Sequence, residues 1–120
     1  MKVQSYKELD VWKKGVEIAN LIFTITDLFP KEQKFVLGAQ MQRAAISMPS
    51  NIAEGFARQY NKEFVQFCRI ALGSCSELET QLIIAGNRNY CDRAFFDKAE
   101  KLLDVESRML MNLIKSLKQR

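Results

Sequence analysis

The sequence predicts an all-α fold: an antiparallel up-down-up-down four-helix bundle forming one domain over 1–120. Three observations carry this. Two prolines and five glycines in 120 residues are too few for a turn-rich β architecture. Apolar residues recur at spacings of three and four through most of the chain. The breaks between those periodic stretches are short, which sets successive helices side by side in opposite directions. A chain of this length supports a single modest core.

The first helix is expected from Ser5 or Lys7 to Leu28, where Phe29-Pro30 stops it. The second runs from about Glu32 to Arg58. Pro49 lies inside it, lacks an N–H to donate, and is expected to kink the helix or divide it near Ser47. The third begins after Asn61, read as an N-cap, and ends near Gly86-Asn87. The fourth starts after Asp92 and continues to the C-terminal residues. At about 1.5 Å per residue such helices make a bundle roughly 35 Å tall.

The apolar pattern is wider than one helix face needs. Leu9, Trp12, Val16, Ala19 and Phe23 make one stripe on the first helix, and Val11, Gly15, Ile18, Ile22 and Ile25 make a second beside it. On the fourth, Phe95, Ala99, Leu102, Met109, Leu113 and Leu117 form a row that Phe96, Leu103, Leu110 and Ile114 widen. A bundle helix with one solvated side shows a single stripe about 100° wide. Doubling implies either a broad core face or a second buried face, hence self-association. In the third helix Phe64, Phe67, Ala71, Ser74, Leu78 and Leu82 follow a heptad-like seam, with Gly73-Ser74 permitting close helix approach.

Polar residues are patterned too. Arg43, Ser47, Asn51, Glu54 and Arg58 share one face of the second helix, beside Leu37, Met41, Ala44, Ala45, Met48 and Ile52. Glu77 on the third helix is a suitable partner for Arg43, since a partly buried carboxylate needs a cation. Arg43, Ser47, Asn51, Glu54 and Glu77 are thus candidates for a structural polar network fixing helix register or a subunit interface. The alternative is that they contact a ligand or nucleic acid.

The same stretch carries a resemblance. QMQRAAISMPSNIAEG (40–55), preceded by TDLFPKE (26–32) and followed by GSCSELETQ (73–81), strongly resembles a bacterial four-helix-bundle family. Its members are encoded in intervening sequences of 23S ribosomal RNA genes and elsewhere in bacterial genomes. The resemblance covers about Leu9 to Leu117. It implies a small, cytoplasmic, all-helical protein without enzymatic activity that assembles as a homopentamer. It also implies similarity to the accessory variability proteins of diversity-generating retroelements, basic pentameric barrels that engage a reverse transcriptase and its RNA. One departure stands out: the family often has two arginines before the Ala-Ala pair, and here the first is Gln42. If that pair touches phosphate, one contact per subunit is lost.

Composition narrows the function. The chain has no histidine, so the usual general base near neutral pH and the commonest metal ligand are absent. Cys68, Cys75 and Cys91 match no zinc spacing. No Gly-x-Ser-x-Gly turn or glycine-rich phosphate loop occurs. The expectation is no enzyme, no metal and no cofactor. No apolar run approaches the roughly 20 residues that span a bilayer, and the N-terminus lacks an apolar signal core, so a cytoplasmic protein with no membrane contact is expected.

Lysine and arginine number 18 against 14 acids, a net charge of +4. The excess lies in residues 31–60 and 91–120. A basic balance of this kind suits phosphate contact in a non-enzymatic homo-oligomer that binds nucleic acid, structured RNA in particular. The candidate contacts are Arg58 and Lys62 in the second connection, Arg88 and Arg93 in the third, and Lys115, Lys118 and Arg120 at the C-terminus. The C-terminal cations have a plainer use as well, since they complement the helix dipole. The alternative function is a protein-interaction scaffold for a partner such as a reverse transcriptase, with incidental nucleic-acid affinity.

Overall fold

A computed structural model describes residues 2–119, and among them are four long helices and no strand. These are α1 (Asp10–Asp27), α2 (Ala39–Ala57), α3 (Asn61–Asn87) and α4 (Arg93–Lys118). The body measures 46 × 21 × 20 Å. It is longer than the sequence spacing implies because α3 and α4 run for 27 and 26 residues, each about 40 Å of helix.

Ser5 and Glu8 form a capping box that closes a separate 3-10 turn, Tyr6–Glu8. Glu8 Oε2 accepts from the Ser5 amide at 3.0 Å, and Ser5 Oγ accepts from Lys7 N at 3.1 Å. Leu9 is extended, with ψ 129°, so α1 begins at Asp10 rather than at Ser5 or Lys7.

The irregularity of the second helix lies far from Pro49. After Pro30, a helical turn Lys31–Gln33 leads into a π-helical segment, Lys34–Gly38, before α2 begins. That wide turn leaves Phe35 and Val36 79% and 59% exposed. Pro49 neither ends nor divides α2, so of the kink or division expected near Ser47 the division does not occur. Its ring is buried against α1, where a β-carbon on Gly15 would lie 3.3 Å from both its Cβ and its Cδ. Packing on a neighbouring glycine offsets the loss of one helical donor.

Asn61 is the first residue of α3 rather than its cap; Tyr60 holds the cap position and gives no side-chain hydrogen bond. The chain turns into that cap through Gln59 at φ 70°, and leaves α3 through Asn89 at φ 57°. Asparagine tolerates the left-handed region and glutamine does so poorly. Gln59→Gly is therefore expected to stabilise the protein by about 1 kcal/mol, seen as a higher urea midpoint with an unchanged slope.

The core draws on all four helices. Ile18, Ile22 and Ile25 of α1, Met41, Met48 and Ile52 of α2, Leu78 and Leu82 of α3, and Leu103 and Leu110 of α4 are fully buried. Each contributes about 1.5–3 kcal/mol by leaving water. On α1 the Val11-to-Ile25 stripe is the buried one, while Leu9, Trp12, Val16 and Ala19 are half-buried and Phe23 is exposed. On α4 Phe96, Leu103, Leu110 and Ile114 are buried, and Phe95, Leu102, Met109 and Leu113 are half-buried. The second stripes are thus only partly covered within one chain.

Among the glycines the tightest contact is at Gly55, where an added β-carbon would lie 2.5 Å from Phe67 Cβ. Gly73, expected to serve that role, has no such neighbour within 4 Å. The connections gather at two ends. Phe29 and Tyr90 pack as tilted rings with centroids 5.5 Å apart and 54° between their planes, joining the α1–α2 and α3–α4 connections. Asn61 and Lys62 share a cavity with Leu117 and Lys118, which joins the start of α3 to the end of α4.

Candidate nucleic-acid interface

That shared cavity is the most cationic concave surface described. It is an open hollow of about 400 Å³ lined by Asn61, Lys62, Val65, Gln66, Arg69, Leu117 and Lys118. Lysine 62 and Arg69 lie seven residues apart on α3, hence on one face, and Lys118 reaches the same space from the last turn of α4. None of the three cations takes part in an ion pair among the described residues. The lining holds two amide side chains and no carboxylate. Such a surface can receive phosphate oxygens as point-charge and forked contacts.

The structure brings together Lys62 and Lys118 from the predicted set and adds Arg69. Arg69 was legible from its seven-residue spacing to Lys62; its relation to Lys118 required the tertiary fold. Arg58 is engaged at home, 3.9 Å from Glu63 and stacked 5.1 Å over the Phe67 ring. Arg93 likewise pairs with Asp97 at 3.2 Å and lies 5.0 Å over Phe96. Arg88 donates to the Tyr90 hydroxyl at 3.5 Å, in the connection that packs on Phe29. Arg88 and Arg93 therefore stand apart from the Lys62 cavity. Lys115 is exposed on the last turns of α4, and Arg120 lies outside the described residues.

The polar network is smaller than the sequence pattern implies. Asn51 Nδ2 donates to Ser47 O at 2.8 Å and to Ser47 Oγ at 2.9 Å, and Ser74 Oγ donates to Ser47 Oγ at 2.9 Å. This chain ties α2 to α3. Arg43, Glu54 and Glu77 are exposed and outside it, and no Arg43–Glu77 pair forms among the described residues. The spacing was right and the rotation was not: Arg43 and Glu77 sit on the outward edges of their helices. Gln42 points inward, its Nε2 donating to Thr26 Oγ1 at 2.9 Å, so it ties α2 to α1.

Two buried polar side chains have atoms without hydrogen-bond partners among the described residues. Gln81 is buried with Oε1 unpartnered, and Glu106 is fully buried with neither carboxyl oxygen hydrogen-bonded. Burial pushes the Glu106 carboxyl up to about 8, against the opposing pull of Lys14. Among the described residues no group of three or more histidine, cysteine or acidic side chains could hold a metal ion. No helix there is long and apolar enough to cross a membrane.

A family model, 23S rRNA-intervening sequence protein, matches residues 7–112. No curated protein matches the sequence. A crystal structure of a protein of unknown function from the S23 ribosomal protein family of Bacteroides thetaiotaomicron is similar, with a TM-score of 0.81 and 27% identity. The match covers 88% of this chain and 95% of that one. With helices, turns and matched span in agreement, the chain belongs to the 23S rRNA-intervening sequence protein family.

Proposed function

We propose that the protein is a non-enzymatic, cytoplasmic helical bundle that binds structured RNA through phosphate contacts, as a closed ring of identical subunits. The observation that carries this reading is the Lys62–Arg69–Lys118 cavity, with three cations that have no ion-pair partner among the described residues and no acid in its lining. In the ring each bundle runs up-down-up-down, and five copies are the expected number. A net charge of +4 per chain becomes about +20 in a pentamer, and repetition multiplies weak contacts. Support for a ring comes from apolar side chains that one subunit covers only in part. Ile46, Ile70 and Ile84 are 46%, 52% and 46% exposed, on the helices that also present Arg43, Glu54 and Glu77 outward. Those three charged residues then serve between subunits rather than within one.

Titration into labelled structured RNA and duplex DNA at several salt concentrations, with mass measured alongside, tests the reading. Binding is expected to weaken along a steep log–log salt slope. Replacing Lys62, Arg69 and Lys118 together by alanine should reduce that slope by about 2–3 and weaken all sequences alike. Replacing Arg58 and Arg93, already engaged within the subunit, should change it less. Absence of binding at low salt, with the ring intact, overturns the RNA reading. It would favour a scaffold for a protein partner such as a reverse transcriptase, for which the exposed Phe35 and Val36 provide an apolar contact.

A further inference from the structure

Glu106 is the one acidic side chain that the described fold removes wholly from water. It stands in the innermost row of α4, between Leu103 and Leu110, where the heptad-like pattern calls for an apolar residue. Both carboxyl oxygens lack a hydrogen-bond partner. An unpartnered buried carboxylate is costly, and a buried carboxylic acid is much less so.

Its surroundings are specific. From α1, Gly15 leaves the space it fills: a β-carbon there would lie 3.2 Å from Glu106 Oε2. From α2, Pro49 borders the same point and brings no charge. From α3 come Cys68 and Cys75, whose thiols are pushed up to about 12, first by burial and next by the Glu106 charge. Both are neutral near pH 7 and offer no countercharge. The sole cation acting on Glu106 is Lys14 of α1. Lys14 is otherwise occupied, its Nζ 3.3 Å from Glu17 Oε1.

Lys14 and Glu17 also line the outer groove between α1 and α4, with Asp10, Lys13, Val105 and Met109. This groove, about 360 Å³ and open to solvent, is walled on α4 by Val105, the residue next to Glu106 in the chain, and by Met109.

We propose that Glu106 is a proton-controlled latch on the α1–α4 seam: neutral, it packs as a core side chain and holds the seam shut; ionised, it draws Lys14 from Glu17 and admits water through the groove. The proton leaves to solvent and Lys14 replaces it as the compensating charge. A folded-state value raised to about 8 from 4.5 spreads the change over the interval between those two values, from mildly acidic to mildly alkaline pH. The sign follows from the raised value. The closed state binds the proton more tightly than the open one, so the latch is fully closed below about pH 4.5 and is lost as pH rises through about 8.

Hydrogen exchange of α1 and α4 amides, corrected for intrinsic rates, reads the seam. In the wild type the opening equilibrium should rise about tenfold per pH unit between about pH 5 and 8. Glu106→Gln should flatten that dependence, and Lys14→Met should leave its slope but move its upper limit to higher pH. A wild-type seam with pH-independent protection overturns the proposal, and so does a Glu106→Gln seam that opens as the wild type does. Should the glutamine variant not fold, the wild-type carboxyl can be titrated by carbon-13 resonance. A midpoint near 8 with a coupled shift at Lys14 supports the latch, and a midpoint near 4.5 sinks it.

Discussion

Replacing Gly55 by alanine is expected to destabilise the protein by about 3 kcal/mol or more, one of the largest effects of any single methyl addition in the chain. The added carbon would meet Phe67 Cβ at 2.5 Å, Phe64 Cδ1 at 3.1 Å and Phe67 Cγ at 3.2 Å. Phe67 Cβ is fixed to the α3 backbone and cannot swing aside, so α2 and α3 must separate. Separation strains the Ser74–Ser47 hydrogen bond, 2.9 Å long, and the Cys75–Met48 sulfur contact at 3.2 Å. A midpoint lowered by roughly 10 °C or more in thermal melting would bear this out. Gly73→Ala is the matched control. With nothing near its β-carbon it should stabilise the isolated chain by about 0.5–1 kcal/mol through helix propensity alone. Equal melting of the two variants would refute the account of close approach at Gly55.

Stability should fall with rising pH, and Glu106→Leu should remove most of that fall. The carboxyl lies at about 8 in the fold against 4.5 when unfolded, chiefly through burial. The stability it permits is complete below about pH 4.5 and is lost as pH passes through 8. The full loss is about 4–5 kcal/mol, at 1.36 kcal/mol for each pH unit. Leucine matches the neighbours Leu103 and Leu110, needs no partner and holds no proton. Near pH 9 the variant should exceed the wild type by about 3 kcal/mol or more, and near pH 5 the two should nearly coincide. Chemical denaturation at both pH values checks this; a constant difference between them would show that packing, not ionisation, sets the cost.

The four helices were legible because periodicity reports burial directly. Ile18, Ile22 and Ile25 repeat at helical spacing and are all in the core. Glu106 shows where that logic stops. Both rows read on α4 skip position 106, one passing from Leu102 to Met109 and the other from Leu103 to Leu110. The gap was the signal, but a charged residue in a gap reads as solvated. Its burial depends on Gly15 and Pro49 of two other helices, which no pattern on α4 reveals. Gly55 and Gly73 differ for a similar reason, since only the opposing side chain decides which glycine is needed. Ser47 and Asn51 share a face by spacing alone, because each lies beside a well-marked apolar stripe; Ser74 reads as part of the α3 seam, and its bond to Ser47 required the tertiary fold. Arg43 and Glu77 lie a further step round their helices, and at that distance from the core spacing no longer fixes contact. The π-helical segment turns on one extra residue per turn, to which an apolar pattern as short as Phe35-Val36-Leu37 is blind.

The cysteines lead to a different kind of consequence. Cys68 and Cys75 face the interior, and at a value of about 12 only about one thiol in 10⁵ is ionised at neutral pH. Cys91, in the α3–α4 connection, is half-buried and its thiol is raised only in part, again by burial. To an alkylating reagent the native chain is thus nearly a one-thiol molecule, and the denatured chain a three-thiol one. The sulfurs themselves keep a chemical tally of how often the bundle has come apart.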